Sequence, residues 1–192
     1  MGLIPFPLAI ELTQPANFKP FLISFVILLA PFILYKLERK NARKELLLTK
    51  INPAETIMQA FALFAVIFII LLTQGLFLNA IGLLDNYKVA QLISVQNPFV
   101  LFLAVTIGPI GEELLFRGYF LKKIGLGLQA LLFAILHYAY GSFSEILAAL
   151  LIGLALGIFL KQEKNIYACI LAHSLYNLFS ILTVFSLSNA GM

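Results

Sequence analysis

The sequence predicts an all-α fold, a polytopic helical bundle in a membrane with about six transmembrane helices. The first observation is composition, because 61% of the 192 residues are hydrophobic and only 11% are charged. Soluble domains carry about twice that charged fraction, and the mean hydropathy of +1.00 is equally unusual for such a domain. The second observation is a series of long apolar runs, and the third is the uneven distribution of Lys and Arg between them. Together these observations exclude soluble and disordered chains.

Six apolar runs with few or no charges predict the spanning helices, because crossing the hydrocarbon core takes about 20 mostly apolar residues. The runs are Pro20–Tyr35, Ile57–Leu78, Phe99–Phe116, Ile124–Tyr140, Ile146–Leu160 and Ile166–Leu187. We expect one integral membrane domain over residues 1–192, with N-terminal spans in 1–98 and a motif-bearing core in 99–182. The apolar stretch Leu3–Ile10 contains two prolines, so we expect it to form an interfacial lead-in.

The basic residues predict the topology. Eleven of the thirteen lie in alternate connections: Lys36, Arg39, Lys40, Arg43, Lys44, Lys50, Arg117, Lys122, Lys123, Lys161 and Lys164. The positive-inside rule places these connections in the cytoplasm and both termini outside, in a plasma (inner) membrane. Contact with anionic membrane lipid accounts for the net charge of +4, so the charge does not indicate a nucleic-acid partner. The single cysteine, Cys169, excludes an intramolecular disulfide and a cysteine-built zinc site.

The candidate functional residues are the polar side chains that a membrane interior penalises. They are Glu112, Glu113, Arg117, His137, His173 and Asn177. An Asp, Lys or Arg at a helix centre costs about 2.5–3.5 kcal/mol on the insertion scale, so ionisable groups there are functional candidates by default. Each group alone has an ordinary explanation, such as a solvated helix end or an interhelical hydrogen bond. Only their conjunction in separate predicted spans is specific.

Helical spacing separates the two glutamates. Glu113 and Arg117 are four residues apart with the acid N-terminal, which is the favourable order for an ion pair on one helix face. Glu112 points about 100° away around the helix. We therefore expect Arg117 to neutralise Glu113 and Glu112 to face a cavity, where a carboxylate can act as a general base.

The two histidines lie in similarly spaced pairs, Phe133 with His137 and His173 with Asn177. If the three segments converge, one carboxylate and one imidazole can deprotonate a water molecule. The second imidazole and the carboxamide can hydrogen-bond a developing oxyanion. This is the minimum set for hydrolysing an amide bond without a covalent intermediate.

The three spaced pairs resemble the motifs of the CPBP family, the CAAX proteases and bacteriocin-processing proteins that share the Abi domain. The motifs are Glu112-Glu113-x-x-x-Arg117, Phe133-x-x-x-His137 and His173-x-x-x-Asn177. The resemblance covers roughly residues 99–182. It implies an intramembrane endopeptidase whose active site opens to the cytoplasm and whose substrate is a membrane-associated or lipidated protein or peptide. It also implies that Glu113 and Arg117 organise the site.

The same resemblance implies a role for each remaining motif residue. Glu112 corresponds to the catalytic glutamate, and His137 corresponds to its partner in activating water. His173 and Asn177 correspond to the pair that would stabilise the oxyanion.

A zinc site is the alternative to activation of water by the protein alone. Glu112, His137 and His173 match a His₂Glu zinc set in residue type. However, no His-Glu-x-x-His helix is present, and the three residues lie in different predicted spans. We therefore expect no metal cofactor.

Glu112, His137 and His173 can form one site only if they lie at a similar depth in the membrane. At about 1.5 Å per residue, Glu112 lies about 8 Å and His173 about 12 Å from the boundary marked by the basic connections. His137 would lie about 20 Å away, and about 12 Å only if two glycines keep residues 125–129 non-helical.

Two other functions remain open. A non-catalytic bacteriocin-immunity or membrane scaffold protein could use the same fold to bind a partner. A small transporter could use the carboxylate and the histidines as a proton relay, although no inverted repeat is evident. Alanine at Glu112 or His173 would abolish cleavage by a peptidase but would leave the phenotype of a scaffold unchanged.

Overall fold

The computed structural model describes residues 19–189, which form helices joined by short connections. The α-helices are α1 Lys19–Leu37, α2 Ala42–Glu45, α3 Pro53–Ala80, α4 Tyr87–Ser94, α5 Pro98–Val105, α6 Ile107–Glu112, α7 Leu121–Leu136, α8 Phe143–Glu163 and α9 Ile166–Asn189. A π-helical segment, Glu113–Phe120, joins α6 to α7, and a 3₁₀ turn, His137–Tyr140, follows α7. Residues 19–189 contain no strand, so the all-α prediction is confirmed. The predicted lead-in Leu3–Ile10 lies outside the described residues.

Several of these helices are long and apolar enough to cross a membrane. They are Pro53–Ala80, Pro98–Tyr140, Phe143–Glu163 and Ile166–Ser186. The apolar helix Leu22–Leu37 is shorter. The predicted third and fourth runs both lie inside Pro98–Tyr140, because the chain passes from one to the other through a kink rather than a loop. The chain is a multi-pass helical membrane bundle in which the six predicted runs are helical except at Thr106 and Gly125.

The long stretch that contains two predicted spans changes its helix geometry at three places. Thr106 leaves helical geometry, with φ −115° and ψ −82°, and ends α5. The π-helical segment Glu113–Phe120 follows, and such segments occur frequently at functional sites. Gly125 has φ 83° and ψ 175°, a conformation that is accessible essentially to glycine alone. These changes turn the polar residues of this stretch towards the rest of the bundle.

One end of the bundle carries the basic connections, and we call it the basic end. Nζ of Lys122 lies 3.1 Å from Oε2 of Glu45, joining the start of α7 to the connection after α1. The side-chain amide of Asn165 donates to the hydroxyl of Thr56 over 2.9 Å, joining the start of α9 to the start of α3. These contacts join four segments in two pairs at this end.

Asp85 organises the opposite end. Its Oδ1 accepts from the hydroxyl of Ser142 over 2.8 Å and from the N–H of Ser144 over 2.9 Å, and its Oδ2 accepts from Lys88 over 2.9 Å. Lys88 also donates to the carbonyl of Gly141 over 3.1 Å. Burial alone would raise the pKa of Asp85, but these hydrogen bonds outweigh burial and hold its pKa well below the ordinary value. The connection after α3 is thereby fixed to the start of α8.

A tightly packed layer fills the bundle near its basic end. Tyr35, Leu46, Phe116 and Ile166 are each at most 2% exposed. The hydroxyl of Tyr35 donates to the carbonyl of Gly118 over 2.9 Å. A Cβ atom at Gly118 would lie 2.6 Å from Cδ2 of Leu46, so the layer has no room for a further side chain. We call these five residues the sealed layer.

Candidate active site

Glu113 and Arg117 form a fully buried ion pair in the π-helical segment. Nη1 of Arg117 donates to Oε1 of Glu113 over 2.9 Å, and both side chains are 0% exposed. The guanidinium carbon lies 4.3 Å from the centroid of the Phe133 ring, a cation–π distance. Because a buried charge is tolerated only when it is paired, the predicted neutralisation of Glu113 by Arg117 is confirmed.

His173, which is 4% exposed, lies between the two glutamates. Its Nδ1 is 2.9 Å from Oε1 of Glu113, and its Nε2 is 3.8 Å from Oε2 of Glu112. Since a carboxylate oxygen accepts, Nδ1 of His173 donates to Glu113, and Nε2 points towards Glu112. A carboxylate on one ring nitrogen fixes the orientation of the ring and the identity of the other nitrogen. Glu113 therefore positions His173 in addition to pairing with Arg117.

His137 lies at the end of α7, where its Nδ1 is 2.8 Å from the carbonyl oxygen of Phe133. Because a carbonyl oxygen can only accept, Nδ1 carries a proton and donates it, and Nε2 of the neutral ring keeps its lone pair. The ring centroid of Phe133 lies 4.6 Å from that of His137 and 6.0 Å from that of His173. Phe133 therefore contacts both imidazoles and sets the gap between them.

Asn177 lies one turn beyond His173 on α9. Its side-chain amide donates to the carbonyl of Ala104 in α5 over 2.8 Å. This bond fastens α9 to the segment that leads to Glu112. Glu112, Glu113 and His173 are thus in one cluster, whereas the observed bond of Asn177 goes to α5, so its part in oxyanion binding stays a prediction.

Two further polar side chains belong to this region, and the sequence analysis singled out neither. Glu145 lies in the first turn of α8, shortly after the 3₁₀ turn that carries His137. Tyr140 stacks on His137, with ring centroids 5.6 Å apart and 21° between the ring planes. The N–H of Glu145 donates to the hydroxyl of Ser142, and this Ser-x-x-Glu spacing is that of an ordinary capping box. The sequence did contain a signal for Glu145, since an acidic residue beside an apolar run is also what identified Glu112 and Glu113.

The arrangement does not fit the alternative zinc site. Among residues 19–189, no three His, Cys, Asp or Glu side chains are placed to hold a metal ion. Glu112 and His173 lie close together, whereas the Phe133 ring lies against both imidazoles, with its centroid 4.6 Å from that of His137 and 6.0 Å from that of His173. Activity without a metal is still a prediction.

The expectation that residues 125–129 are not helical is wrong. Gly125 alone has a non-helical conformation inside α7, because one glycine at positive φ is enough to redirect the chain. The helix that resumes after Gly125 places His137 about 18 Å along its axis. His137 therefore approaches the cluster from the end of the bundle that Asp85 organises.

The fold and the site define a class of protein. It is a multi-pass helical membrane protein in which two glutamates, an arginine and a histidine form one cluster inside the bundle. The second histidine, His137, lies against the Phe133 ring, which also contacts the cluster.

Comparison with known protein families describes this class more specifically. Residues 94–179, just under half of the chain, match the family described as type II CAAX prenyl endopeptidase Rce1-like. This range contains all three motifs. The match confirms that the motif-bearing part of the chain resembles the CAAX proteases. No curated protein and no solved structure matched the chain.

Proposed function

We propose that the protein is an intramembrane endopeptidase that hydrolyses a peptide bond of a membrane-associated or lipidated protein or peptide. The observation that carries this proposal is the row of contacts from Glu113 through His173 to Glu112. An oriented imidazole beside a second, partly exposed carboxylate is suited to general acid–base chemistry on water. The family match supports the reaction class.

The proposed reaction begins with a water molecule between Glu112 and Nε2 of His137. One of these groups accepts a proton as the water oxygen forms a bond to the peptide carbonyl carbon. The carbonyl oxygen then carries a negative charge, which Nε2 of a doubly protonated His173 and the second N–H of the Asn177 amide would stabilise. The C–N bond breaks as the stored proton passes to the leaving nitrogen. The products are a carboxylic acid and an amine, and no covalent intermediate forms.

Glu113 and Arg117 act through other residues in this scheme. Both are fully buried, so neither contacts a substrate. Their ion pair holds the oxygen to which His173 donates. We therefore assign them a positioning role.

We also propose that no metal takes part. The support is that, within residues 19–189, no three His, Cys, Asp or Glu side chains are placed to hold a metal ion. Activity should survive dialysis of the purified protein against a strong chelator. Loss of activity that zinc restores would overturn this part of the proposal.

The orientation that we propose places the basic end in the cytoplasm and both termini on the other side of the plasma (inner) membrane. The support is the segregation of Lys and Arg, which anchors such connections at the anionic leaflet. A reporter enzyme that is active only outside the cytoplasm should therefore be active when it is fused after Met192. A reporter that is active only in the cytoplasm should be inactive at the same position.

The experiment that tests the function compares peptides in membranes from cells that produce the native protein or Glu112→Gln. The native protein should generate new peptide ends that are absent with Glu112→Gln at an equal protein level. Identical peptide ends in both samples would favour the non-catalytic immunity or scaffold function instead.

A further inference from the structure

The position of His137 depends on the 3₁₀ turn that carries it. The turn is four residues long, His137–Tyr140, and ends at Gly141, which has φ 66° and ψ 16°. Hydrogen bonds in a 3₁₀ turn have poorer geometry than those in an α-helix, and such turns are therefore used in short pieces. Contacts from other segments must hold the end of this turn if His137 is to have one position.

Tyr140 connects the end of the turn to the imidazole. Its ring stacks on that of His137, with centroids 5.6 Å apart and 21° between the planes, and the Phe133 ring centroid lies 4.6 Å from that of the same imidazole. The next residue along the chain is Gly141, where the turn ends. A movement of Gly141 would therefore move a ring that lies against His137.

Lys88 holds the end of the turn from another part of the chain. Its Nζ donates to the carbonyl of Gly141 over 3.1 Å and to Oδ2 of Asp85 over 2.9 Å. The helix α4, which contains Lys88, also contacts the 3₁₀ turn. The start of α4 and the connection before it are therefore joined to the segment that carries His137.

Asp85 holds the next three residues. Its Oδ1 accepts from the hydroxyl of Ser142 over 2.8 Å and from the N–H of Ser144 over 2.9 Å, and its Oδ2 accepts from the N–H of Phe143 over 3.0 Å. Its own N–H donates to the hydroxyl of Ser144 over 3.0 Å. Together with the bond from Lys88, these bonds hold all four residues that follow the turn, and we call Asp85 and Lys88 the clamp.

Capping of α8 alone does not account for the clamp. Ser142 already caps α8, since its hydroxyl accepts from the N–H of Glu145 over 3.2 Å, whereas Lys88 bonds the residue at which the 3₁₀ turn ends. The family match begins at residue 94, so it assigns no role to Asp85 or Lys88. The clamp therefore acts on the turn as well as on α8.

We propose that Asp85 and Lys88 are positioning residues, which fix the 3₁₀ turn and thereby hold Nε2 of His137 at the reacting water. This inference rests on the proposed function, in which that nitrogen is one of the two groups that can accept the proton of the water. The clamp acts through residues 141–144 and contacts no substrate in this scheme. Its loss should therefore lower kcat and leave KM unchanged.

The kinetic test of the clamp is Lys88→Met, which removes both bonds of Nζ and keeps an unbranched side chain. Lys122→Met is the matched control, because Lys122 at the basic end also donates to a carboxylate and to a backbone carbonyl, both of Glu45. The two lysine side chains are 40% and 37% exposed. With a peptide found by the comparison of membrane peptides, we expect Lys88→Met to lower kcat about 10–100-fold at an unchanged KM. Lys122→Met should match the native protein.

A second measurement does not depend on cleavage, because the chain has only two histidines. Protein with isotope-labelled histidine and no histidine tag gives imidazole NMR signals that His173→Gln assigns. We expect Lys88→Met to shift or broaden the signals of His137 by more than a line width and to leave those of His173 unchanged. Lys122→Met should change neither set of signals.

The inference is overturned by a native kcat in Lys88→Met, or by His137 signals that stay unchanged or change together with those of His173. Asp85→Asn replaces Lys88→Met if the latter does not fold, with the same expected and contradicting results. If the native protein and Glu112→Gln give identical peptide ends, the endopeptidase proposal fails, and the histidine signals still decide whether the clamp holds His137.

Discussion

One carboxylate oxygen, Oε1 of Glu113, accepts from Nη1 of Arg117 and from Nδ1 of His173, each over 2.9 Å. The two donors belong to different segments, 56 positions apart along the chain. This shared oxygen couples the neutralisation of a buried charge to the orientation of an imidazole. We therefore expect a change at this oxygen to lower both the stability and the activity of the protein. The two effects can be measured separately.

The first prediction concerns Glu113→Gln. This change leaves Arg117 as a buried charge without its partner, which costs about 3–5 kcal/mol. It also leaves a single neutral amide oxygen to accept from both Arg117 and His173, so His173 is held less firmly, and misplacing a catalytic group by about 1 Å can lower the rate roughly 10²-fold. We expect a lower melting temperature and a lower kcat with little change in KM, because Glu113 contacts no substrate. Circular dichroism on heating and steady-state kinetics measure the two effects.

Glu163→Gln is the matched control for this prediction. Glu163 is exposed at the basic end and accepts only a long bond, 3.4 Å, from Gln59. Its substitution should change neither quantity. If Glu113→Gln behaved like Glu163→Gln, the shared oxygen would have no positioning role.

The second prediction concerns the contact between α7 and α8. A Cβ atom at Gly153 would lie 3.0 Å from Cα and 3.1 Å from Cβ of Ala130, and these atoms cannot move away without shifting a helix. We expect Gly153→Ala to destabilise the protein by about 1–3 kcal/mol. Gly127→Ala on α7 meets nothing within 4 Å and should stabilise by up to about 1 kcal/mol through helix propensity. Thermal unfolding in detergent should give opposite signs, and equal signs would contradict the packing described.

The third prediction concerns pH and Asp85. The hydrogen bonds to its carboxylate hold the folded-state pKa below the ordinary value, so the stabilisation is complete above about pH 4. It is lost as the pH falls below that value towards the folded-state pKa. Asp85→Asn removes the charge, so it should destabilise the protein by roughly 1–3 kcal/mol at pH 7. The difference in melting temperature between the two proteins should be constant above about pH 4 and should shrink as the pH falls below that value. A difference that stays constant below about pH 4 would mean that the carboxylate charge contributes nothing.

The sequence was most informative where the structure depends on neighbours in the chain. The apolar runs identified the helices, because spanning length and composition are local properties. The spacing of Glu113 and Arg117 identified their ion pair, since residues four apart meet on one helical face even when the turn widens into a π-helix.

Contacts between distant segments were beyond such reasoning. Spacing predicted that Glu112 would face a cavity, but it did not predict the bond from Nδ1 of His173 to Glu113, which is set by how α9 packs against the π-helical segment. Glu145 escaped notice because its position after Ser142 is fully explained as a helix cap. The glycine-rich start of α7 indicated a break but not its extent, because only the backbone angles show that Gly125 alone supplies it.

The central claim is that Glu112 activates the water that cleaves the peptide, and one measurement tests it most directly. A peptide found by the comparison of membrane peptides is incubated with native protein and with Glu112→Gln in liposomes, and kcat is measured for both. We predict a decrease of about 10²–10⁴-fold, as expected for the loss of a general base, with the melting temperature unchanged. Cleavage at the native rate by a folded Glu112→Gln protein would contradict the account.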